Sequence, residues 1–262
     1  MSLTVSYASG VSDKPLLGVP ISQLFDQIVD QFAQREAVVS IHQNTRLNYS
    51  QLAERVNELA KDFIAAGFEK GDRVGVWSPN NIEWLVTQYA TAKVGVVLVT
   101  INPAYRTHEL AYVLEQSGCK GLVFQNQFKT SDYEAIVVEL CPNLNMIGPG
   151  KLNSVKFPNL KTIVSMTSSA VSGIYNWDEF LDLANNIAMH IAASNPMAID
   201  ESSLSENVVA KEKEIYLDQA KSSGKPDNVV EKIIEGKLKK FKEDNCLVHQ
   251  SFVKNPDVTI GQ

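Results

Sequence analysis

The chain has 262 residues, 44% of them hydrophobic and 21% charged, a globular balance with room for one large domain or for a domain and a smaller module. Its net charge of -6 opposes the broad basic footprint that nucleic-acid binding demands. The three cysteines, Cys119, Cys141 and Cys246, are widely spaced and no Cys/His cluster has zinc-ligand spacing, so free thiols in a reducing compartment are expected.

The first residues, Met1-Ser2-Leu3-Thr4-Val5-Ser6-Tyr7, lack a charged start followed by an apolar core, so no secretory signal is read. Ile21, Leu24, Phe25, Ile28, Val29 and Phe32 recur at helical spacing, with Ser22 as an early cap. Ala37-Val38-Val39-Ser40-Ile41 reads as a strand, Gln43-Asn44-Thr45-Arg46 as a turn and Leu47-Asn48-Tyr49 as the returning strand. Residues 50–66 form the next helix, with Leu52, Val56, Leu59, Phe63 and Ile64 on one face and Gly67 as its stop. Then the order becomes regular. Strands at Arg73–Trp77, 96–101 and Gly121–Phe124 alternate with helices at 81–93, Thr107–Ser117 and 131–140. Thr107 is expected to cap its helix with its hydroxyl. A strand at Thr162–Ser165 and a short helix at 177–183 close the region. Strand, helix, strand at this spacing implies a parallel sheet with helices on its faces. The longest apolar run, Val94-Gly95-Val96-Val97-Leu98-Val99, is too short to span a bilayer, so no membrane contact and a cytoplasmic location are expected.

Character changes near 184–187. Beyond it every readable segment is helical. Residues 187–194 form a short helix broken at Pro196, and residues 206–222 and 227–241 form two longer helices. Gly224 and Pro226 suit the turn between them. Val230, Ile233, Ile234, Leu238 and Phe241 make one apolar stripe, and Val209, Tyr216 and Ala220 the facing one, as in an antiparallel helical hairpin. A mobile joint is expected over residues 184–205.

Several motifs carry a resemblance. Tyr49-Ser50-Gln51-Leu52, Gly71-Asp72-Arg73-Val74, Trp77-Ser78-Pro79-Asn80-Asn81, Ala92-Lys93-Val94-Gly95 and Ile101-Asn102-Pro103-Ala104-Tyr105-Arg106 resemble the N-terminal region of AMP-forming fatty-acyl-CoA synthetases. Lys129-Thr130-Ser131-Asp132-Tyr133 and Tyr175-Asn176-Trp177-Asp178-Glu179-Phe180 extend the likeness, which runs from about residue 14 to 184. It implies a family that joins a fatty acid to CoA through an acyl-adenylate, using ATP, magnesium and CoA. That chemistry needs a Ser/Thr/Gly-rich phosphate loop, acidic and basic groups for ribose and magnesium, and a lysine from a mobile C-terminal domain. In the family these lie beyond the region of resemblance.

Residues 187–262 resemble translation elongation factor Ts. The likeness rests on Ile187-Ala188-Met189-His190-Ile191-Ala192-Ala193-Ser194-Asn195-Pro196, Ser222-Ser223-Gly224-Lys225-Pro226, Glu235-Gly236-Lys237-Leu238-Lys239-Lys240-Phe241 and Gln250-Ser251-Phe252-Val253. It implies the end of that factor's core subdomain plus its protruding helical hairpin, a dimerisation or partner-contact element. In that family nucleotide release from elongation factor Tu depends on an N-terminal helical domain and a Thr-Asp-Phe-Val motif, neither of which is found here.

Candidate chemistry is sparse. Gly148-Pro149-Gly150-Lys151 lacks the GxxxxGK[ST] spacing and reads as a surface turn, and Ser222-Ser223-Gly224-Lys225-Pro226 reads as a helix-hairpin turn. Residues 102–106 follow a strand's carboxyl end; they either line a small-molecule cleft or fix a connection, and the second is preferred. His42 and His108 lack a Ser or Cys partner in recognisable context. Glu109 favours a helix dipole, His190 is packed or capping, and the basic run Lys237, Lys239, Lys240 and Lys242 is interleaved with Glu231, Glu235, Glu243 and Asp244 as on a solvated face.

The reading is therefore α/β: an incomplete parallel-sheet subdomain of an adenylate-forming enzyme at 1–184, followed by an all-α helical-hairpin module at 185–262. A chimeric or truncated product without either parent's full activity is expected. No residue is assigned as catalytic, cofactor-binding or metal-ligating, and no cofactor is assigned. Elongation factor Tu or self-association through the hairpin is the expected contact; an inactive acyl-CoA ligase-related protein is the alternative.

Overall fold

The computed structural model describes residues 13, 16–221 and 227–261. The expected turn at Gly224 and Pro226, the Ala220 side chain, Lys14 and the Met1–Tyr7 run lie outside the described residues.

Helix α1 (Ile21–Phe32) starts after Pro20; Ser22 lies inside the helix and does not cap it, because Pro20, with extended backbone, occupies the cap position. Strands β1 (Glu36–Ser40) and β2 (Thr45–Asn48) form an antiparallel hairpin. Tyr49, read as strand, instead begins helix α2 (Tyr49–Ala65). Asn48 decides this: its side chain accepts from Gln51 N–H at 2.8 Å, and Gln51 Oε1 accepts from Asn48 N–H at 3.0 Å. Asn48→Ala removes one acceptor of this reciprocal pair and is expected to cost about 1 kcal/mol, read as a lower urea midpoint at unchanged slope.

The rest of the first region follows as β3 (Arg73–Trp77), α3 (Ile82–Val94), β4 (Val97–Ile101), α4 (Thr107–Ser117), β5 (Gly121–Phe124), β6 (Gln127–Phe128), β7 (Ser131–Asp132), α5 (Tyr133–Leu140), β8 (Thr162–Ser165), β9 (Tyr175–Asn176) and α6 (Trp177–Leu181). Strands β4, β3, β5, β8 and β9 lie in that order in one parallel sheet. Alternation along each strand divides the core in two. Val74, Val76, Val123 and Val164 face the core shared with α1, α2 and α3, where Val56, Leu59 and Phe63 are buried. Trp77, Leu122, Phe124 and Ile163 belong to the opposite core, with Leu110 and Leu114 of α4 and Tyr133 of α5. Covering both faces explains the continuous apolar runs of β3, β5 and β8. Gly75 sits in β3, an interior strand, where a Cβ would lie 2.9 Å from Ile101 Cδ1. The short hairpin β6–β7 and strand β9 are additions to the expected order; two residues are too few to show a period.

The second region consists of α7 (Leu183–Ser194), α8 (Glu206–Lys221), α9 (Asp227–Asn245), β10 (Ser251–Phe252) and β11 (Asn255–Thr259). Helix α7 runs unbroken through residues 184–187, where a change of character was read, and it is tied to α2 by Ala184 N–H donating to Asp62 Oδ1 at 3.0 Å. One expectation needs correction: the module is not all-α, because β10 and β11 pair antiparallel around a turn at Val253 and Lys254. Helices α8 and α9 pack through Val230 and Ile234 against Tyr216, Leu217 and Leu238. Lys242 pairs with Glu201 at 2.8 Å and Lys239 with Glu243 at 3.9 Å, both with exposed partners.

Candidate functional site

In open α/β sheets, ligands bind outside the carboxyl ends of the strands. Here that edge is occupied by its own side chains. Asn81 caps α3, accepting from Trp84 N–H at 2.7 Å, while its amide donates to Gln125 Oε1 and Ser78 Oγ, each at 3.0 Å. Ser165 Oγ donates to Asn126 Oδ1, and Asn126 Nδ2 donates to the Ser168 carbonyl at 2.9 Å. Residues 102–106 are held in the same way. Trp77 Nε1 donates to the Asn102 carbonyl at 3.2 Å, Asn102 Oδ1 accepts from Ala104 N–H at 2.9 Å, and the buried Tyr133 hydroxyl donates to the Pro103 carbonyl. Burial pushes the Tyr133 hydroxyl up to about 12, so it stays a donor. These contacts hold the connection between β4 and α4.

The remaining sequence candidates disperse. Thr107 does not cap α4: it is the first helical residue, Arg106 holds the cap position, and the Thr107 hydroxyl turns to Glu139 at 3.1 Å. Glu109 accepts from Arg106 N–H at 3.0 Å, and the amides of Glu109 and Arg106 hold its carboxyl below the ordinary value. His42 does have a serine neighbour, with Ser40 Oγ 3.3 Å from its Nδ1. That hydroxyl is committed to Gln43 Oε1 at 2.8 Å, so the pair is a hairpin contact rather than a nucleophile and base. His108 is exposed. His190 is fully buried, as expected of a packing residue. Its Nδ1 accepts from Val253 N–H at 3.3 Å, which assigns the ring proton to Nε2, 3.0 Å from Gln250 Oε1. No group of His, Cys, Asp and Glu suited to a metal is found among the described residues, and Cys119, Cys141 and Cys246 are free and buried.

A cleft lies at the opposite, amino edge of the sheet. It has a volume of about 750 Å³ and runs between that edge and the β10–β11 hairpin. Lys120 and Lys161, the residues just before β5 and β8, reach it from the sheet; Lys151 reaches it from the turn at 148–151. That turn closes with Lys151 N–H donating to the Gly148 carbonyl at 3.3 Å, as expected of a surface turn, with Gly150 at φ 77°. A Cβ on Gly150 would lie 3.2 Å from the Tyr175 hydroxyl oxygen. Lys120 is held by Asp72 at 2.6 Å and by the Gly67 carbonyl at 2.7 Å. Leu183, Ile187, Phe252 and Val258 supply apolar wall, each half-buried. Beside the cleft, Asp62 is buried, and its Oδ2 has no hydrogen-bond partner; burial pushes the carboxyl up to about 6. Sequence reasoning missed Lys120, Lys161, Tyr175 and Asp62. The available signal was that a lysine directly precedes each of two buried strands, which places both at one edge.

A family model described as AMP-binding enzyme matches residues 25–193. One described as elongation factor TS matches residues 158–262, so the two overlap over 158–193. Among curated proteins, the mitochondrial medium-chain acyl-CoA ligase ACSF2 of Mus musculus is 43% identical over 162 residues, 62% of this chain and 26% of that protein. The putative acyl-CoA synthetase YngI of Bacillus subtilis strain 168 is 38% identical over 172 residues, 66% of this chain and 31% of that protein. The chain thus spans between 26% and 31% of the length of these two relatives. A crystal structure of a mutant coronafacic acid ligase from Pectobacterium brasiliense superposes with TM-score 0.51 at 20% identity, covering 63% of this chain and 29% of that one; it shows the fold alone.

Proposed function

Because the chain belongs to the AMP-binding enzyme family through residues 25–193, we propose that its acyl-CoA-ligase-type sheet subdomain serves as the base for a partner-binding tail, and that it is a fusion without ligase activity of its own. The observation that carries this reading is the packed α8–α9 hairpin inside the region that matches elongation factor TS. The partner proposed for it is elongation factor Tu, with a second copy of this chain as the other occupant. Two features support a non-catalytic sheet subdomain: the carboxyl edge carries two hydrogen-bonded groups, Ser78 with Asn81 and Gln125, and Asn126 with Ser165, and residues 102–106 are spent on a connection. ATP, magnesium and CoA are accordingly proposed as cofactors of its relatives' reaction rather than of this chain alone. The three free thiols support a reducing compartment, and the cytoplasm is proposed. No helix among the described residues is long and apolar enough to cross a membrane.

The test is size-exclusion chromatography with elongation factor Tu at roughly 10–50 μM of each protein, a range that detects micromolar affinity. Co-elution is expected, with no acceleration of GDP release at substoichiometric amounts. Independent elution, with the chain itself monomeric, overturns the binding proposal. The 43% identity to a medium-chain acyl-CoA ligase favours a second reading, an acyl-CoA ligase-related protein. Pyrophosphate release from ATP with a medium-chain fatty acid and CoA would support it; none is expected.

A further inference from the structure

We propose that the amino-edge cleft is a binding site for an amphipathic anion, a carboxylate or phosphate monoester carried on an apolar chain. The inference is independent of the hairpin's role. Charge is the first reason. Three lysines line the cleft and no carboxylate does so among the described residues, although the chain as a whole carries a net charge of -6. Lys120 is neutralised by Asp72. The Lys151 and Lys161 ammonium groups have no ion pair or hydrogen bond with any described residue.

A directed donor is the second reason. The Tyr175 hydroxyl reaches the cleft beside Gly150 and makes no hydrogen bond within the described chain. Burial, and then Glu179, raise its proton affinity, so at neutral pH it donates rather than repels an anion. Gly150 matters here. A side chain at this position would crowd the hydroxyl at 3.2 Å, and its φ of 77° disfavours one.

The apolar wall is the third reason. Ile187, Phe252 and Val258, from α7, β10 and β11, line the same cleft as the lysines of the sheet. A small inorganic ion would leave that wall wet. A neutral chain would leave the half-buried Lys161 ammonium group and Tyr175 hydroxyl losing water without partners. An oxyanion on an apolar chain satisfies both, with its oxygens on Lys151, Lys161 and Tyr175 and its chain along Ile187 and Phe252. The volume of about 750 Å³ is within the range of small-molecule sites.

Isothermal titration of the full chain with dodecanoate, dodecyl phosphate, dodecanol and inorganic phosphate tests this. At least one of the two amphipathic anions is expected to bind, and the tighter one identifies the head group. Lys151→Ala with Lys161→Ala should weaken it by about 10-fold or more, and Tyr175→Phe by about 3-fold or more, while Lys239→Ala with Lys240→Ala on α9 should leave it unchanged. Circular dichroism checks that each variant is folded; Tyr175→Phe, which keeps the ring, decides the matter if the lysine pair is not. The proposal is overturned if neither anion binds up to about 1 mM, if dodecanol or inorganic phosphate binds as tightly, or if folded variants bind like the parent.

Discussion

Trp77→Ala is expected to lower the unfolding free energy by about 3–5 kcal/mol, a large share of the 5–15 kcal/mol typical of a domain. Trp77 ends β3, an interior strand of the parallel sheet paired with β4 and β5, and is fully buried. Its ring stacks on Tyr133 with centroids 3.6 Å apart and planes 9° apart, and its indole N–H satisfies the Asn102 carbonyl. Alanine removes the transfer energy of a large ring, leaves a cavity against Tyr133 and strands a backbone acceptor. Trp77→Phe keeps a stacking ring but not the indole donor, so it should cost about 1–3 kcal/mol. Urea unfolding followed by circular dichroism measures both. A midpoint for Trp77→Ala close to that of the parent would mean that the stack with Tyr133 carries little of the fold's stability.

Asp62→Asn is expected to stabilise the protein near neutral pH and to flatten its pH dependence. The Asp62 carboxyl rises from 3.8 to about 6, first through burial and further through Glu58 and Asp182, with the Ala184 amide opposing. The folded chain therefore holds this proton more tightly than the unfolded one. Where the native state binds more protons, stability falls as pH rises. The contribution is neutral below the unfolded value of 3.8, falls through the window up to about 6, and stays at its least favourable above it. The full cost is about 2–3 kcal/mol. Asparagine keeps an acceptor for Ala184 N–H and removes the buried charge that Glu58 and Asp182 oppose. Unfolding free energies of parent and variant should be close at pH 4 and differ by about 1–2 kcal/mol at pH 7.5, the variant being more stable. A difference that is constant across that range would count against an ionised, buried Asp62. Because Asp62 lies on α2 and its partner amide on α7, the same measurement reports how firmly the stretch matched by both family models is seated on the sheet subdomain.

The legible elements were those whose environment repeats along the chain. Strands β3, β5 and β8 are buried on both faces, so each is a short apolar run between turn residues and needs no partner to be recognised. Amphipathic helices such as α2 were equally plain, since Leu52, Val56, Leu59 and Phe63 mark the buried face. Caps were less legible. Ser22 and Thr107 are good capping residues in the wrong place, whereas Asn48 and Asn81 cap because the preceding segment delivers them to the helix start. The two-residue strands β6, β7, β9 and β10 carry no period and exist only through their partners.

Sequence alone determined the parallel α/β order of the first region, its resemblance to acyl-CoA synthetases and the two charged helices of the tail. Only the tertiary structure decided that α7 runs on through the expected boundary, that Asp62 loses its water beneath that helix, and that Lys120, Lys151 and Lys161 share a cleft with Tyr175 and the β10–β11 hairpin. The physical reason is range. Helix and strand periods are set by neighbours within a few residues, but burial of a charge and convergence of lysines from three separate turns depend on contacts between segments far apart in the chain, which no local pattern records.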